Sequence, residues 1–424
     1  MQGNRLTWRK IIVGTLKLVA LTTALATCFL IGTHFSQLQF RPRPLVLTFD
    51  LADGFPRPDA PRAEDPRGPE PQAVAARAQA IRRTADIIRG ECQAAGGDWA
   101  RWQHDTEQYR ATLKSKVDAL KDLDKSISVF PEALAGRDSF PLFEFRAPEN
   151  LRYLIDPSSF DSFGRDRPVV IAERWLRSRG IDLIYAPIPK MTEVYIEEFV
   201  DPCPADGIIA PHVRRSLLDL LEADVEVVDV LPLLRCLRNS DAEYLYNTAD
   251  SHWAPRAMRI VAKEVADRIA RYNFGARARY GLPITTAVPG PFILNETAEN
   301  MSSILPAQDG WNTLTAEQKK RAARAQTTTH AEIRMVDGSV PPDDPSSPVL
   351  ITGNSYVLHF REQLVKEMNL LVHSVWGDNW TTHAFGDFLR DKEHLAHCRV
   401  VVWISTAAHM TRPHPVILAL GVKK

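Results

Sequence analysis

A serine, a histidine and an aspartate in this chain have the types and spacing that acyl transfer requires. Asp250-Ser251-His252-Trp253 opens one helical segment, and Gly353-Asn354-Ser355-Tyr356 follows a short apolar run. A hydroxyl nucleophile needs a base to take its proton. The base needs an acceptor that fixes its tautomer and stabilises its cation. Residues two apart on an extended segment project to the same side. Asp250 can therefore engage one imidazole nitrogen of His252 and leave the other for a hydroxyl, with Ser355 the candidate. Each stretch also has a plainer explanation. Ser or Asn before a helix caps it, and Asp250 or Ser251 can cap the helix that Pro255 begins.

The elements that must bring these stretches together alternate between strand and helix. A helical stretch with Val170, Ile171, Trp175 and Leu176 ends near Gly180. The run Ile181 to Ala186 reads as a buried strand stopped by Pro187 and Pro189. A helix from Val213 to Leu221 and a strand from Val225 to Val230 come next, then a helix from Pro255 to about Arg271. The strand Val349 to Thr352 leads to Ser355, and a helix carries Phe360, Leu364 and Met368. A strand from Leu370 to Val375, a helix near His383 to Leu395 and a strand from Val400 to Ile404 complete the series. Strands alternating with helices specify an α/β fold, a mostly parallel sheet with helices on both faces. Ser355 then stands at the carboxyl end of a strand, where helix-start N–H groups can hold an oxyanion. The stretch from about 281 to 347 is too long for a plain connection and reads as an insertion near the site.

Upstream, Arg5, Arg9 and Lys10 precede an apolar run from Ile11 to Ile31 interrupted by Lys17. Residues 11–32 can cross a bilayer as a signal anchor. Residues 1–10 are then cytoplasmic, and the rest faces the periplasm of an inner-membrane, single-pass protein. Ala24-Leu25-Ala26 and Leu25-Ala26-Thr27-Cys28 offer a cleavage site or a lipidation site instead. Residues 33–72 are proline-rich, with Pro42, Pro44, Pro56, Pro58, Pro61, Pro66, Pro69 and Pro71, and read as an extended linker. Residues 73–165 read as a helical N-terminal region. Its first helix stops at Gly96-Gly97, and its second carries a stripe of Trp102, Tyr109, Leu113, Val117 and Leu120. Residues 166–424 form the catalytic domain.

Lys+Arg and Asp+Glu balance at 52 each, and no basic block is long enough to track phosphates, so nucleic acid is not an expected partner. No phosphate loop or dinucleotide fingerprint occurs, and no cofactor is expected. His394, His397 and Cys398 form the densest potential ligand cluster, but the spacing fits no familiar zinc site, and no metal is expected. In an oxidising compartment Cys92, Cys203, Cys236 and Cys398 can form up to two disulfides; Cys203 with Cys236 would clamp the segment before Asp250, and free buried thiols are the alternative.

Asp-x-His-Trp-x-Pro-Arg before a helix, then a strand ending in Gly-Asn-Ser-Tyr, resembles the alginate O-acetyltransferase family of AlgJ and AlgX, a branch of the SGNH hydrolases. The similarity extends from about Arg167 to Trp403. It includes Ile181 to Lys190 with its Pro-containing loop, and Val400 to Ile404. Acid and base precede the serine, as in that family's permuted order. The family's Gly-x-Asp-Gly-Trp-Leu-Phe stretch is not recognisable, and Ser405-Thr406 stands where an acidic residue is usual. The resemblance implies an SGNH-like fold with Ser355 as nucleophile, His252 as base and Asp250 as its orienter. It also implies a periplasmic enzyme that acetylates an exopolysaccharide acceptor, supplied by a membrane-bound O-acyltransferase. Candidate oxyanion or substrate-binding residues are Asn354, Tyr356, Asn379 in Gly377-Asp378-Asn379-Trp380, which otherwise serves a turn, and Lys190, which either touches an anionic polymer or is merely solvated. Trp253, Tyr356 and Trp380 are either sugar-stacking or core aromatics. An acetyl esterase and a catalytically inactive scaffold of a secretion complex use the same residues differently.

Overall fold

The core of the chain is a five-stranded parallel sheet in the order β2-β1-β7-β5-β6. This computed structural model describes residues 71–121, 151–161, 168–238, 245–246, 252–272, 274, 292–300, 327–335, 339–357, 359–376 and 392–411. The strands are β1 (Asp182–Ile188), β2 (Glu226–Val227), β5 (Val349–Gly353), β6 (His373–Trp376) and β7 (Val400–Thr406). Every residue of β1, β5 and β7 is buried. Such runs are continuous in Val, Ile and Leu because a parallel sheet is covered on both faces. The chain steps from β1 out to β2, crosses to β5 and β6, and returns to place β7 in the middle. The carboxyl ends of β1, β7 and β5 therefore lie side by side, the position where open α/β sheets place their sites.

Besides three single-turn helices, the described helices are α1 (Pro71–Ala94), α2 (Trp99–Asp105), α3 (Glu107–Lys121), α4 (Pro168–Arg177), α5 (Pro211–Glu222), α6 (Val230–Leu237), α7 (Pro255–Ile269), α8 (Phe360–Met368) and α9 (Lys392–His397). Gly96 and Gly97, at φ 103° and 77°, end the first helical segment as the sequence predicts. The second expected helix is broken at Thr106, whose hydroxyl donates to the carbonyls of Trp102 and Gln103. The N-terminal helices pack on the domain through buried charge. Arg214 on α5 is 1% exposed. It donates to Glu91 of α1 at 2.8 and 2.9 Å and to Asp229 at 2.7 and 2.6 Å. Arg77 of α1 likewise meets Glu173 of α4 at 2.9 Å.

Several boundaries differ from expectation. β1 continues through Pro187, which pairs in register with Ser405. Tyr185 C=O accepts from Val228, so odd-numbered residues of β1 turn their polar groups toward β2. β2 ends at Val227. The missing N–H of Pro187 thus faces past the end of β2 and costs no ladder bond. The expected strand from Val225 to Val230 shrinks to Glu226–Val227, because Asp229 turns to Arg214 and Val230 begins α6. Glu226 is fully buried and paired with Arg268 and Arg271. The last expected helix is described only as α9, and β6 starts later than expected, at His373. Asn369, left-handed at φ 50°, ends α8 and defers pairing. The insertion contains an antiparallel pair, β3 (Phe292–Asn300) and β4 (Thr327–Met335). β4 packs on α7 and α8.

The described cysteines, Cys92, Cys203, Cys236 and Cys398, carry free thiols, so the expected Cys203–Cys236 clamp is not formed. Burial pushes the Cys203 thiol up to about 11. Among the described residues no helix is long and apolar enough to cross a membrane. The apolar run 11–31, Cys28 and the proline-rich linker up to residue 70 lie outside the described residues, and Pro71, expected in the linker, begins α1.

His212 joins three elements at the seam between the N-terminal helices and the domain. From α5 its Nε2 donates to the Tyr153 carbonyl at 2.6 Å, and its Nδ1 faces the Gln103 side chain of α2 at 3.3 Å. Burial lowers its pKa from 6.5 to about 4. Between those values the unfolded chain binds a proton that the folded chain does not. Stability is therefore complete above pH 6.5 and falls as pH drops toward 4, by roughly 3 kcal/mol. Urea midpoints measured across this window will fall more steeply for the parent than for His212→Gln, which keeps a donor and does not titrate.

Candidate functional site

Ser355 and His252, a hundred residues apart in sequence, meet at the carboxyl ends of the sheet. His252 Nε2 lies 2.8 Å from Ser355 Oγ. Both residues are half-buried, so the pair is packed yet reachable. The distance is that of a good hydrogen bond and suits proton transfer between hydroxyl and imidazole.

Ser355 is placed by a close backbone approach. At the last position of β5, Gly353 (φ 158°) pairs with Ile404 of β7. A Cβ on Gly353 would sit 1.8 Å from the Ile404 carbonyl oxygen and 2.8 Å from Val357 Cγ2. Only glycine lets the chain leave the sheet there. Asn354 N–H then donates to that same Ile404 carbonyl at 3.3 Å. Ser355 opens a single 3-10 turn, Ser355–Val357, and the helix expected after it, α8, begins at Phe360. His359, left-handed at φ 59°, separates the two.

His252 is placed from the other side by an aromatic wedge. The preceding segment forms an isolated antiparallel bridge, Tyr246 with Trp253, and Ala254 N–H donates to the Leu245 carbonyl at 2.9 Å. Tyr246 Oη donates to the Pro189 carbonyl at 2.6 Å, tying the bridge to the end of β1. Trp253 is fully buried, stacked on Phe360 with centroids 5.0 Å apart, and lies 5.6 Å from Tyr356. Such ring pairs contribute about 0.5–1.5 kcal/mol each beyond burial. The His252 ring itself lies 5.0 Å from that of Tyr356. Pro255 at the first turn then launches α7. Trp253 and Tyr356 are therefore core aromatics and not exposed sugar platforms.

The other candidates fall as follows. Asn354 is buried, its Oδ1 accepting from Tyr356 N–H at 3.2 Å and its Nδ2 lying 3.2 Å from His409 Nδ1. The Tyr356 N–H expected to face an oxyanion is thus engaged by Asn354, because the tight turn folds the amide back onto it. Val357 N–H donates to the Asn354 carbonyl at 2.9 Å. Among the described residues, Ser355 N–H has no acceptor. Lys190, expected to touch an anionic polymer or to be solvated, is 6% exposed at the end of β1, and its N–H donates to Glu193 at 2.7 Å. Asp250, Asn379 and Trp380 lie outside the described residues. His409, on the turn after β7, was not a sequence candidate; no local motif marks it, and only the strand order brings it to Asn354.

A parallel α/β sheet with a serine on the turn after a central strand, held against a histidine, defines a protein of the SGNH hydrolase-like class. The family model described as SGNH hydrolase-like domain, acetyltransferase AlgX, matches residues 162–404. That is more than half of the 424 residues, and the chain belongs to this family. Among solved structures, the O-acetyltransferase domain of Pseudomonas putida AlgJ is similar at 16% identity and a TM-score of 0.44, covering 62% of this chain and 92% of that one. Pseudomonas aeruginosa AlgX is similar at 15% identity and a TM-score of 0.37, covering 65% of this chain and 60% of that one. Bacillus cereus PatB1 is similar at 9% identity and a TM-score of 0.36, covering 60% and 91%. No curated protein matches the chain.

Gly353→Ala must push β7 and β5 apart or move the Ser355 turn. Its cost is expected at about 3 kcal/mol or more, the upper range for overpacking a tight site. The check is the chemical-denaturation midpoint of Gly353→Ala against the parent.

Proposed function

We propose that this chain is a membrane-anchored, periplasmic O-acetyltransferase that passes acetyl groups to hydroxyls of an exopolysaccharide through an acetyl-serine at Ser355. The observation that carries this reading is the 2.8 Å contact between His252 Nε2 and Ser355 Oγ within a domain of the acetyltransferase family. The first apolar run with its basic flank supports the anchor and the orientation.

In the first step Ser355 Oγ attacks the acetyl carbonyl and gives its proton to His252 Nε2. The tetrahedral oxyanion faces the Ser355 N–H, and the leaving group departs with the proton from His252. In the second step a sugar hydroxyl gives its proton to His252 and attacks the acetyl-serine. Ser355 leaves as the alkoxide, recovers that proton, and the acetyl group is on the polymer. Asp250 is assigned to His252 Nδ1, which keeps Nε2 as the acceptor and steadies the imidazolium. Asn379 is assigned to the acceptor groove; Lys190, being buried at the end of β1, is not. Acetyl coenzyme A is a cytoplasmic donor, so a membrane-bound O-acyltransferase is assigned the delivery of acetyl groups.

The test is acetyl release from a small activated acetyl ester by the full-length protein, with and without acidic oligosaccharide acceptors. Ser355→Ala and His252→Ala are each expected to lose on the order of 10⁶-fold in kcat, as triad members acting as a unit do, and Asp250→Asn on the order of 10⁴-fold. Acetylated oligosaccharide identifies a transferase, and free acetate alone identifies an esterase. A Ser355→Ala variant as active as the parent removes the reading.

A further inference from the structure

The turn that carries Ser355 is held from behind by a histidine that the acetyl-transfer steps do not use. His409 lies on the 3-10 turn Ala407–Thr411 that follows β7. Its Nδ1 is 3.2 Å from Nδ2 of Asn354, the residue before the nucleophile. Asn354 is 8% exposed, and its amide has one workable orientation. The Tyr356 N–H can only donate, so Asn354 Oδ1 must face it, as it does at 3.2 Å. The amide NH₂ must then face His409. An amide NH₂ offers only donors, so His409 Nδ1 must accept, and the ring proton must reside on Nε2.

We infer that His409 is a positioning residue whose Nδ1, acting as acceptor, locks the Asn354 amide and through it the turn that aims Ser355 at His252. This rests on the reading of Ser355 as nucleophile. The chain of contacts is continuous. His409 follows directly from β7, whose Ile404 carbonyl takes the Asn354 N–H. The Asn354 side chain takes Tyr356 N–H, and its carbonyl takes Val357 N–H. One asparagine therefore fixes the backbone on both sides of Ser355, and the far end of its amide is held by His409. A proton on Nδ1 would set donor against donor. The amide would then turn its oxygen to His409 and present NH₂ to the Tyr356 N–H, which loosens the turn. The cavity beside His409 is lined by Pro168, Val169, Leu220, Trp403 and Met410, together with Tyr185 and Ser405, which bond each other at 3.1 Å.

The experiment compares His409→Leu, which removes the acceptor, with His409→Gln, whose side-chain oxygen can replace it. Kinetics of acetyl release use the full-length protein, with Ser355→Ala alongside. His409→Leu is expected to lose about 30–100-fold in kcat with KM within about twofold, in line with the cost of misplacing a reacting group by ~1 Å. His409→Gln is expected to recover to within about fivefold of the parent. Full kcat in His409→Leu, or equal damage in both variants, overturns the inference. ¹⁵N-histidine spectra of the parent give a readout that needs no activity. The His409 resonances, assigned by their loss in His409→Gln, are expected to show an unprotonated Nδ1 that shifts in Asn354→Ala. A protonated Nδ1 overturns the arrangement. A parent no more active than Ser355→Ala defeats the nucleophile reading itself, and the spectra then decide the His409 contact alone.

Discussion

The site depends on how closely two central strands can approach where β5 ends. Gly353 comes so near the Ile404 carbonyl that no side chain fits between them. That carbonyl then accepts the Asn354 N–H, so the chain turns off the sheet at one place and in one direction. Ser355 follows directly. The register of β5 on β7 therefore sets the position of the nucleophile, and the register of β7 on β1 sets what surrounds it. A slip of one residue would invert the side chains of a strand buried on both faces, which the core does not tolerate.

The base arrives by a separate route, and the two routes are coupled by packing. Trp253 sits beside His252 in sequence and against Tyr356 and Phe360 in space. The same buried indole thus contacts the residues on both sides of the Ser355–His252 gap. Further out, Tyr246 is hydrogen-bonded to Pro189 at the end of β1. Serine and histidine are held to a common frame of strand ends and aromatic rings, and neither depends on a mobile side chain for its place. Buried ion pairs extend that frame to the N-terminal helices. Breaking a pair such as Arg214 with Glu91 and Asp229 would strand a charge in the interior, at a cost of about 3–5 kcal/mol.

Much of this was legible locally. The apolar runs at Ile181, Val349 and Val400 are strands because their burial is uniform, and Pro255 starts a helix because its ring suits a first turn. Ser355 and His252 stood out by type and by the elements beside them. What the sequence concealed depends on long-range pairing. The run from Val225 to Val230 looks like one strand, yet Asp229 is drawn to Arg214 and the strand ends after Val227. Pro187 looks like a stop, yet it faces past the end of β2, where no donor is needed. Lys190 looks like a surface charge and is buried. His409 carries no local signal at all, because its partner is fixed by strand order and not by spacing.

The most direct measurement is the mass of the Ser355 peptide after the full-length protein is mixed with an activated acetyl ester and quenched in acid within the first turnover. The account predicts an acetyl group on Ser355 that decays when oligosaccharide acceptor is added, and none on the same peptide of His252→Ala. Turnover of the ester with no acetyl on Ser355, or with the acetyl on another residue, would contradict it.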